Sequence, residues 1–228
     1  MKRLIIIPAY NEEGSILKTI SAIKESNCDF DQVVINDCSN DSTLKLCMEN
    51  GISVINLPIN LGIGGAVQTG YKYAAMNGYD YAVQIDGDGQ HDPAYLGMMF
   101  DTMINEKADM VIGSRFIEKE GFQSSTARRF GISFFSGLIK LLTGVTVTDP
   151  TSGMRLVNRS IIELFARDYP RDYPEPESIV AVLKRKHKVV ECPVVMKKRQ
   201  AGHSSINIRS SVYYMIKVSI AIIMERIR

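Results

Sequence analysis

A chain of 228 residues can bury a sizeable core, as one generous domain or one domain with an appendage. Its 45% hydrophobic and 23% charged content is ordinary for a globular protein, and a net charge of +2 gives no bulk electrostatic case for nucleic acid as a partner. Cys28, Cys38, Cys47 and Cys192 form no CxxC pair and no zinc-ligand spacing, so they read as reduced thiols of a cytosolic protein.

Apolar runs alternate with helical periodicity through the first half. Leu4–Ile7 predicts a strand, and Pro8 with Asn11-Glu12-Glu13 ends it too early for a signal-peptide core. Ile16, Leu17, Ile20 and Ile23 have helical spacing. Val33–Ile35 is the next strand, with a helix over Ser42–Met48. Ile52–Leu57 reads as a strand, followed by a helix from about Gly64 to Met76. Tyr81–Ile85 and a helix from about Ala94 to Ile104 come next, and Met110–Ile112 closes the series. This alternation predicts an α/β fold with a mostly parallel sheet and right-handed crossovers. The second half is less regular: a helix over Arg128–Leu142, strands at Met154–Val157 and Val189–Met196, and a helix over Ser178–Lys186.

The tail, residues 206–228, is apolar, with only Lys217 charged between Arg209 and Glu225. Its uninterrupted apolar parts are shorter than the ~20 residues a membrane span requires. Arg209, Lys217, Arg226 and Arg228 suit an amphipathic helix lying on anionic lipid. The other reading is a terminal helix packed on the domain or on a partner chain. The chain thus divides into a main domain over 1–205 and a C-terminal helix over 206–228.

The most informative segment is Tyr81-Ala-Val-Gln-Ile-Asp-Gly-Asp-Gly-Gln-His-Asp-Pro93, where an apolar run ends in Asp86 and Asp88. Open α/β sheets bind ligands at the carboxyl ends of their strands. Two carboxylates crowded there repel unless a cation lies between them, and hard oxygen donors suit Mg²⁺ or Mn²⁺ bridging to substrate phosphates. A solvated Asp-Gly turn is the plainer reading. Other predicted strand ends carry Pro8–Glu13, Asn36–Thr43, Asn60–Ala66 and Gly113–Phe116. Ser39, Asp41 and Ser42 are helix-cap candidates in any protein, and Gly62-Ile63-Gly64-Gly65 lacks the spacing and lysine of a P-loop. All of them converge on one sheet edge.

Taken in order, Ile6–Glu13, Asn36–Thr43, Asn60-Leu61-Gly62, Asp86–Gln90 and Gly113–Phe116 resemble glycosyltransferase family 2. Asp149-Pro-Thr-Ser-Gly-Met-Arg155 and Arg199-Gln-Ala-Gly-His-Ser204 resemble its dolichyl-phosphate mannosyltransferase-like branch, whose members glycosylate polyprenyl phosphates. The resemblance covers roughly residues 4–205 and implies a GT-A fold. It implies that Pro8, Tyr10, Asn11 and Glu12 line the nucleotide pocket together with Ile35 and Gly62, and that Asp37 holds the base or ribose. Asp86, Gly87 and Asp88 would meet the donor diphosphate, with Asp86, Asp88 and Gln90 at the metal, Mg²⁺ or Mn²⁺. Arg115 would reach a donor or acceptor phosphate, and Arg199 would lie in a loop closing over the diphosphate, with Gly202 and Ser204. Asp86, Asp88, Arg115 and Arg199 would carry the chemistry. Arg128, Arg129, Asp149 and Ser152 would stand on the acceptor side. Two positions depart from the pattern: an acidic pair is replaced by Asn36-Asp37, and the usual glycine by Cys38.

The implied reaction is inverting transfer of a hexose from a nucleotide sugar to a polyprenyl phosphate at the cytoplasmic face of the membrane, with a UDP-hexose favoured as donor and GDP-mannose open. Arginines suit the phosphates because they stay charged and bind in a planar, bidentate fashion. A lipid phosphate is already ionised, so no strong general base is needed. The processive relatives' Gln-x-x-Arg-Trp motif is excluded by the absence of Trp. Transfer to a growing glycan and a nucleotide-sugar-binding partner subunit are the alternatives, while a nicotinamide dehydrogenase would need GxGxxG where Pro8–Asn11 stands. An integral-membrane partner and a homo-oligomer both stay open. Residues 168–178 read either as a loop touching the sugar through Glu175 or Glu177, or as a surface connection that starts a helix with Pro176 near its first position. His91 and His203 adjoin functional loops without a triad partner in sequence, and His187 reads as a surface residue.

Overall fold

The computed structural model describes residues 1–118, 120, 126–197 and 208–227. Its strands are β1 (Arg3–Ala9), β2 (Asp31–Asn36), β3 (Val54–Asn56), β4 (Tyr81–Gln84), β5 (Met110–Ser114), β6 (Arg155–Asn158) and β7 (Val189–Pro193). They form one sheet in the order β3-β2-β1-β4-β6-β5-β7, parallel except for β6, which runs antiparallel to both β4 and β5. The helices are α1 (Ile16–Glu25), α2 (Thr43–Glu49), α3 (Gly62–Met76), α4 (Leu96–Asn105), α5 (Thr126–Thr143), α6 (Arg159–Arg167), α7 (Pro174–Lys184) and α8 (Ile208–Ile227).

The sheet is covered on both faces, which is why its strands read as unbroken apolar runs. Along β1, Leu4 and Ile6 enter one core with α3, α5, α6, α7 and α8, while Ile5 and Ile7 enter the other with α1, α2 and α4. Each fully buried side chain of this size stabilises the fold by roughly 1.5–3 kcal/mol relative to exposure.

Three elements in the second half differ from, or add to, the sequence reading. The antiparallel direction of β6 places Arg155, its first residue, opposite Gln84 at the carboxyl end of β4. The segment just before β6 therefore lands at the ligand edge. Helix α6 was not anticipated; Asn158 caps it by accepting from the Ile161 N–H, and Ile161, Ile162 and Phe165 are buried. Helix α7 starts at Pro174, earlier than expected, because a first turn has no intrahelical use for the N–H groups that Pro174 and Pro176 lack.

Helix α8 packs on α7 and α5, burying Val218 and Ile222. Glu225, also buried, meets Lys184 at 3.0 Å and Arg185 at 3.4 Å. Lys217 pairs with Asp172 at 2.6 Å, and Arg226 Nε donates to the Leu142 carbonyl at 3.0 Å. The other side of the helix exposes Ile216, Ile220, Ile223, Met224 and Ile227, and α5 exposes Phe130, Phe134 and Leu141. Arg228 lies outside the described residues. Among those described, no helix is long and apolar enough to cross a membrane.

Candidate active site

The carboxyl ends of β1, β2 and β4 deliver the donor-side residues to one edge. The loop after β1 and the loop after β2 are stitched together by short side chains. The Asn11 N–H donates to Ser39 Oγ at 3.0 Å, the Glu12 N–H to Thr43 Oγ1 at 2.8 Å, and the Asn40 N–H to Asn11 Oδ1 at 2.8 Å. Asp41 accepts from the Glu13 N–H and from the Thr43 N–H and hydroxyl. Burial opposes ionisation of Asp41, but these bonds outweigh it and hold the carboxyl below its usual range. Asn11 and Cys38 sit at φ 55° and 57°, left-handed conformations that glycine adopts without strain.

Asp37 is buried and accepts from the Leu61 N–H at 2.7 Å, while its carbonyl accepts from Asn60 Nδ2 at 3.2 Å. It thereby joins the loop after β2 to the start of α3. Pro8 is buried at the end of β1, Tyr10 is exposed, and Ile35 points its side chain into the core. Gly62 opens α3 at φ +74°. Gly64 and Gly65 serve packing: a Cβ on Gly64 would overlap the Pro170 and Arg171 carbonyls, and one on Gly65 would overlap Leu61.

The turn after β4 is more constrained. Gln84 Nε2 donates to Asp86 Oδ1 at 2.8 Å, the Asp86 N–H to His91 Nδ1 at 3.0 Å, and the Gln90 N–H to Asp88 Oδ1 at 3.0 Å. The Gly87 N–H reaches the Pro8 carbonyl at 3.3 Å, and Thr19 Oγ1 donates to the Gly87 carbonyl at 3.1 Å. Asp88 is buried, whereas the Asp86 side chain keeps about a third of its surface exposed (33%). The Lys197 N–H donates to the Gln90 carbonyl at 2.9 Å, and its ammonium meets Asp92 at 2.9 Å. The segment after β7 therefore leads towards this turn, although Arg199, Gly202, His203 and Ser204 lie outside the described residues.

The segment expected on the acceptor side, Asp149–Gly153, leads into β6. Gly153 packs so closely that a Cβ there would stand 2.9 Å from Asp86 Oδ2 and 3.2 Å from His91 Cε1. Arg115, at the end of β5, holds Asp149 in a buried bidentate pair: Nε to Oδ2 at 2.6 Å and Nη2 to Oδ1 at 2.7 Å. Its Nη2 also donates to Thr151 Oγ1 at 3.0 Å. Ser152 is buried and accepts from the Met154 N–H at 3.3 Å. Arg128 and Arg129 stand in the first turn of α5, and Arg129 is exposed.

Sequence reasoning left several contributors without a role. Glu191 on β7 accepts from the Thr148 N–H at 2.7 Å and the Asp149 N–H at 2.8 Å, setting the loop that carries Asp149. Arg155 is buried and donates to the Pro150, Ser152 and Glu175 carbonyls and to Ser178 Oγ. The signal for both was a charged residue inside an apolar run. Burial pushes the Tyr71 and Tyr169 hydroxyls up, so these neighbours of Arg155 stay protonated.

A family model for glycosyl transferase family 2 matches residues 4–165. The chain belongs to glycosyltransferase family 2. It is 30% identical to a UDP-N-acetylglucosamine–dolichyl-phosphate N-acetylglucosaminyltransferase of Methanococcus voltae, over 83% of each chain. It is 26% identical to an undecaprenyl-phosphate mannosyltransferase of Micrococcus luteus, over 91% of this chain and 88% of that one. Among solved structures it is similar to glucosyl-3-phosphoglycerate synthase of Mycobacterium tuberculosis in complex with Mn²⁺, UDP-glucose and phosphoglyceric acid. The TM-score there is 0.74 at 18% identity, covering 99% of this chain and 79% of that one. The expected GT-A fold and glycosyltransferase class are borne out.

Among the described residues no group of three or more His, Cys, Asp or Glu is arranged to hold a metal ion. The chemistry of the turn nonetheless suits a divalent cation. Asp86 and Asp88 supply hard oxygen, and Mg²⁺ is commonly held by one or two carboxylates with substrate phosphates and water completing its shell.

Proposed function

We propose that this glycosyltransferase moves a hexose from a nucleotide sugar, a UDP-hexose favoured over GDP-mannose, to a polyprenyl phosphate at the cytoplasmic face of the membrane. The observation that carries the reading is the close approach of Gly153 to Asp86, where an added Cβ would stand 2.9 Å from Asp86 Oδ2. The Asp149–Gly153 segment, read as acceptor-side, would then lie beside the turn read as meeting the donor diphosphate. The named substrates of the two relatives support a lipid phosphate as acceptor.

Asp86, Asp88 and Gln90 would hold Mg²⁺ or Mn²⁺, which when bound neutralises charge on the diphosphate. Asp37 and the loops after β1 and β2 would hold the nucleoside. An acceptor phosphate oxygen attacks the anomeric carbon as the bond to the nucleoside diphosphate breaks, and the electron pair leaves with the diphosphate. Attack opposite the leaving group inverts the centre. Asp149 neutralises Arg115, so it is poorly placed to serve as a base, in keeping with an acceptor that is already ionised. Arg115, Arg129 and Arg199 would gather the phosphates. The exposed apolar residues of α5 and α8 support a membrane surface that delivers the long-chain acceptor at headgroup level.

The test is a transfer assay with the full chain, Mg²⁺ or Mn²⁺, a panel of nucleotide sugars and a polyprenyl phosphate in lipid vesicles. The expected result is a polyprenyl-phosphate hexose formed from one preferred donor and abolished by chelator. Transfer only to glycan hydroxyls would overturn the acceptor, and full activity in chelator would overturn the metal.

A further inference from the structure

His91 is buried, although the turn that it terminates lines the candidate site. A buried imidazole needs partners at its nitrogens. Nδ1 accepts the Asp86 N–H at 3.0 Å, so this network assigns the ring hydrogen to Nε2. Nε2 in turn faces Asp86 Oδ2 at 3.8 Å. One ring therefore addresses both the main chain and the carboxylate of a single residue. Gln84 Nε2 holds the other carboxylate oxygen at 2.8 Å, and Gly153 leaves no room for a side chain between Oδ2 and the His91 ring. Gln84, His91 and Gly153 thus crowd Asp86, whose side chain keeps about a third of its surface exposed.

We propose that His91 is a positioning residue, which fixes the peptide of Asp86 through Nδ1 so that the carboxylate meets the diphosphate-bound cation without rearranging. The inference rests on reading Asp86 as a ligand of that cation. The decisive element is the acceptor at Nδ1, which branches directly from Cγ. Asparagine places an oxygen at the same branch point, glutamine places one a bond further out, and leucine has none. A role in filling space alone would not rank these replacements by acceptor position.

The experiment is calorimetric titration of UDP and of GDP into the full-length protein, with Mn²⁺ and with EDTA, for wild type, His91→Asn, His91→Gln and His91→Leu. Thermal melts run in parallel. The Mn²⁺-dependent gain in nucleotide affinity should stay near the wild-type value in His91→Asn and fall roughly 10- to 100-fold in His91→Gln and His91→Leu, the range found when partners of metal ligands are removed. Affinity in EDTA should be the same in all four. The proposal is overturned if His91→Leu keeps the whole gain, or if His91→Asn loses as much as His91→Gln. Should His91→Leu fail to fold, the Asn–Gln pair decides alone. A wild-type protein that gains nothing from Mn²⁺ overturns the cation reading itself, and the inference with it, a result distinct from a gain that is insensitive to His91.

Discussion

The loops after β1 and β2, the proposed donor side, are held by many small contacts, peptide N–H groups donating to Ser39, Asp41 and Asn11 at half-buried or exposed positions and to the buried Thr43. The proposed acceptor side depends on one buried ion pair, Arg115 with Asp149, whose loop is set by Glu191. A single hydrogen bond of the first kind contributes about 0.5–1.5 kcal/mol net. Removing one partner of a buried pair costs about 3–5 kcal/mol, because the other charge stays buried alone. The donor edge is therefore redundant and the acceptor edge is not. A nucleotide makes many contacts of its own and tolerates a sum of small ones.

Asp149→Ala should show the largest effect, a loss of about 3–5 kcal/mol in urea unfolding as Arg115 is left unpaired. The double replacement Arg115→Met with Asp149→Leu should recover most of that stability while leaving transfer undetectable. Recovery of transfer as well would break the comparison, since the pair would then serve folding alone. Asp88→Asn should leave the melting temperature near the wild-type value and reduce transfer roughly 100- to 1,000-fold, because a neutral amide cannot hold the cation that offsets diphosphate charge. Gly153→Ala should reduce transfer roughly tenfold with a small change in melting, about 1.4 kcal/mol in the barrier. Its methyl would crowd the Asp86 carboxylate, the Gln84 amide and the His91 ring, all side chains rather than backbone. Ser39→Ala, which removes the bonds to the Asn11 N–H and to Asn36 Oδ1, should cost only about 1–2 kcal/mol in unfolding and leave nucleotide affinity nearly unchanged. A loss as large as that of Asp149→Ala would refute the redundancy.

The parallel part of the fold was legible because strands buried on both faces read as continuous apolar runs. Strand direction was not, since an apolar run such as Met154–Val157 reads the same either way. That left the position of Gly153 against Asp86 invisible, although both residues stood in recognised motifs. The pairing of Arg115 with Asp149 was hidden for a related reason: the partners lie 34 residues apart and only the antiparallel β6 brings them together. Cys38 was visible as a departure from the family pattern, and its φ of 57° shows why a glycine is usual there. The glycines at the start of α3 lack the spacing of a P-loop, and Gly64 serves close packing by the loop that follows the unanticipated α6. The tail helix shows the limit of pattern reading. Its apolar residues divide between a face packed on α5 and α7 and an exposed face, and composition alone does not sort them.

In the proposed transfer an acceptor phosphate oxygen becomes the glycosidic oxygen. Polyprenyl phosphate carrying ¹⁸O at its non-bridging oxygens, incubated with the protein, Mn²⁺ and the preferred nucleotide sugar, tests it most directly. Phosphorus NMR and mass spectrometry of the products should find every label retained in the lipid-linked sugar, one of them in the bridge between phosphorus and the anomeric carbon, and none in the released nucleoside diphosphate. Label in the nucleotide, or sugar joined to the lipid without its phosphate, would contradict the account.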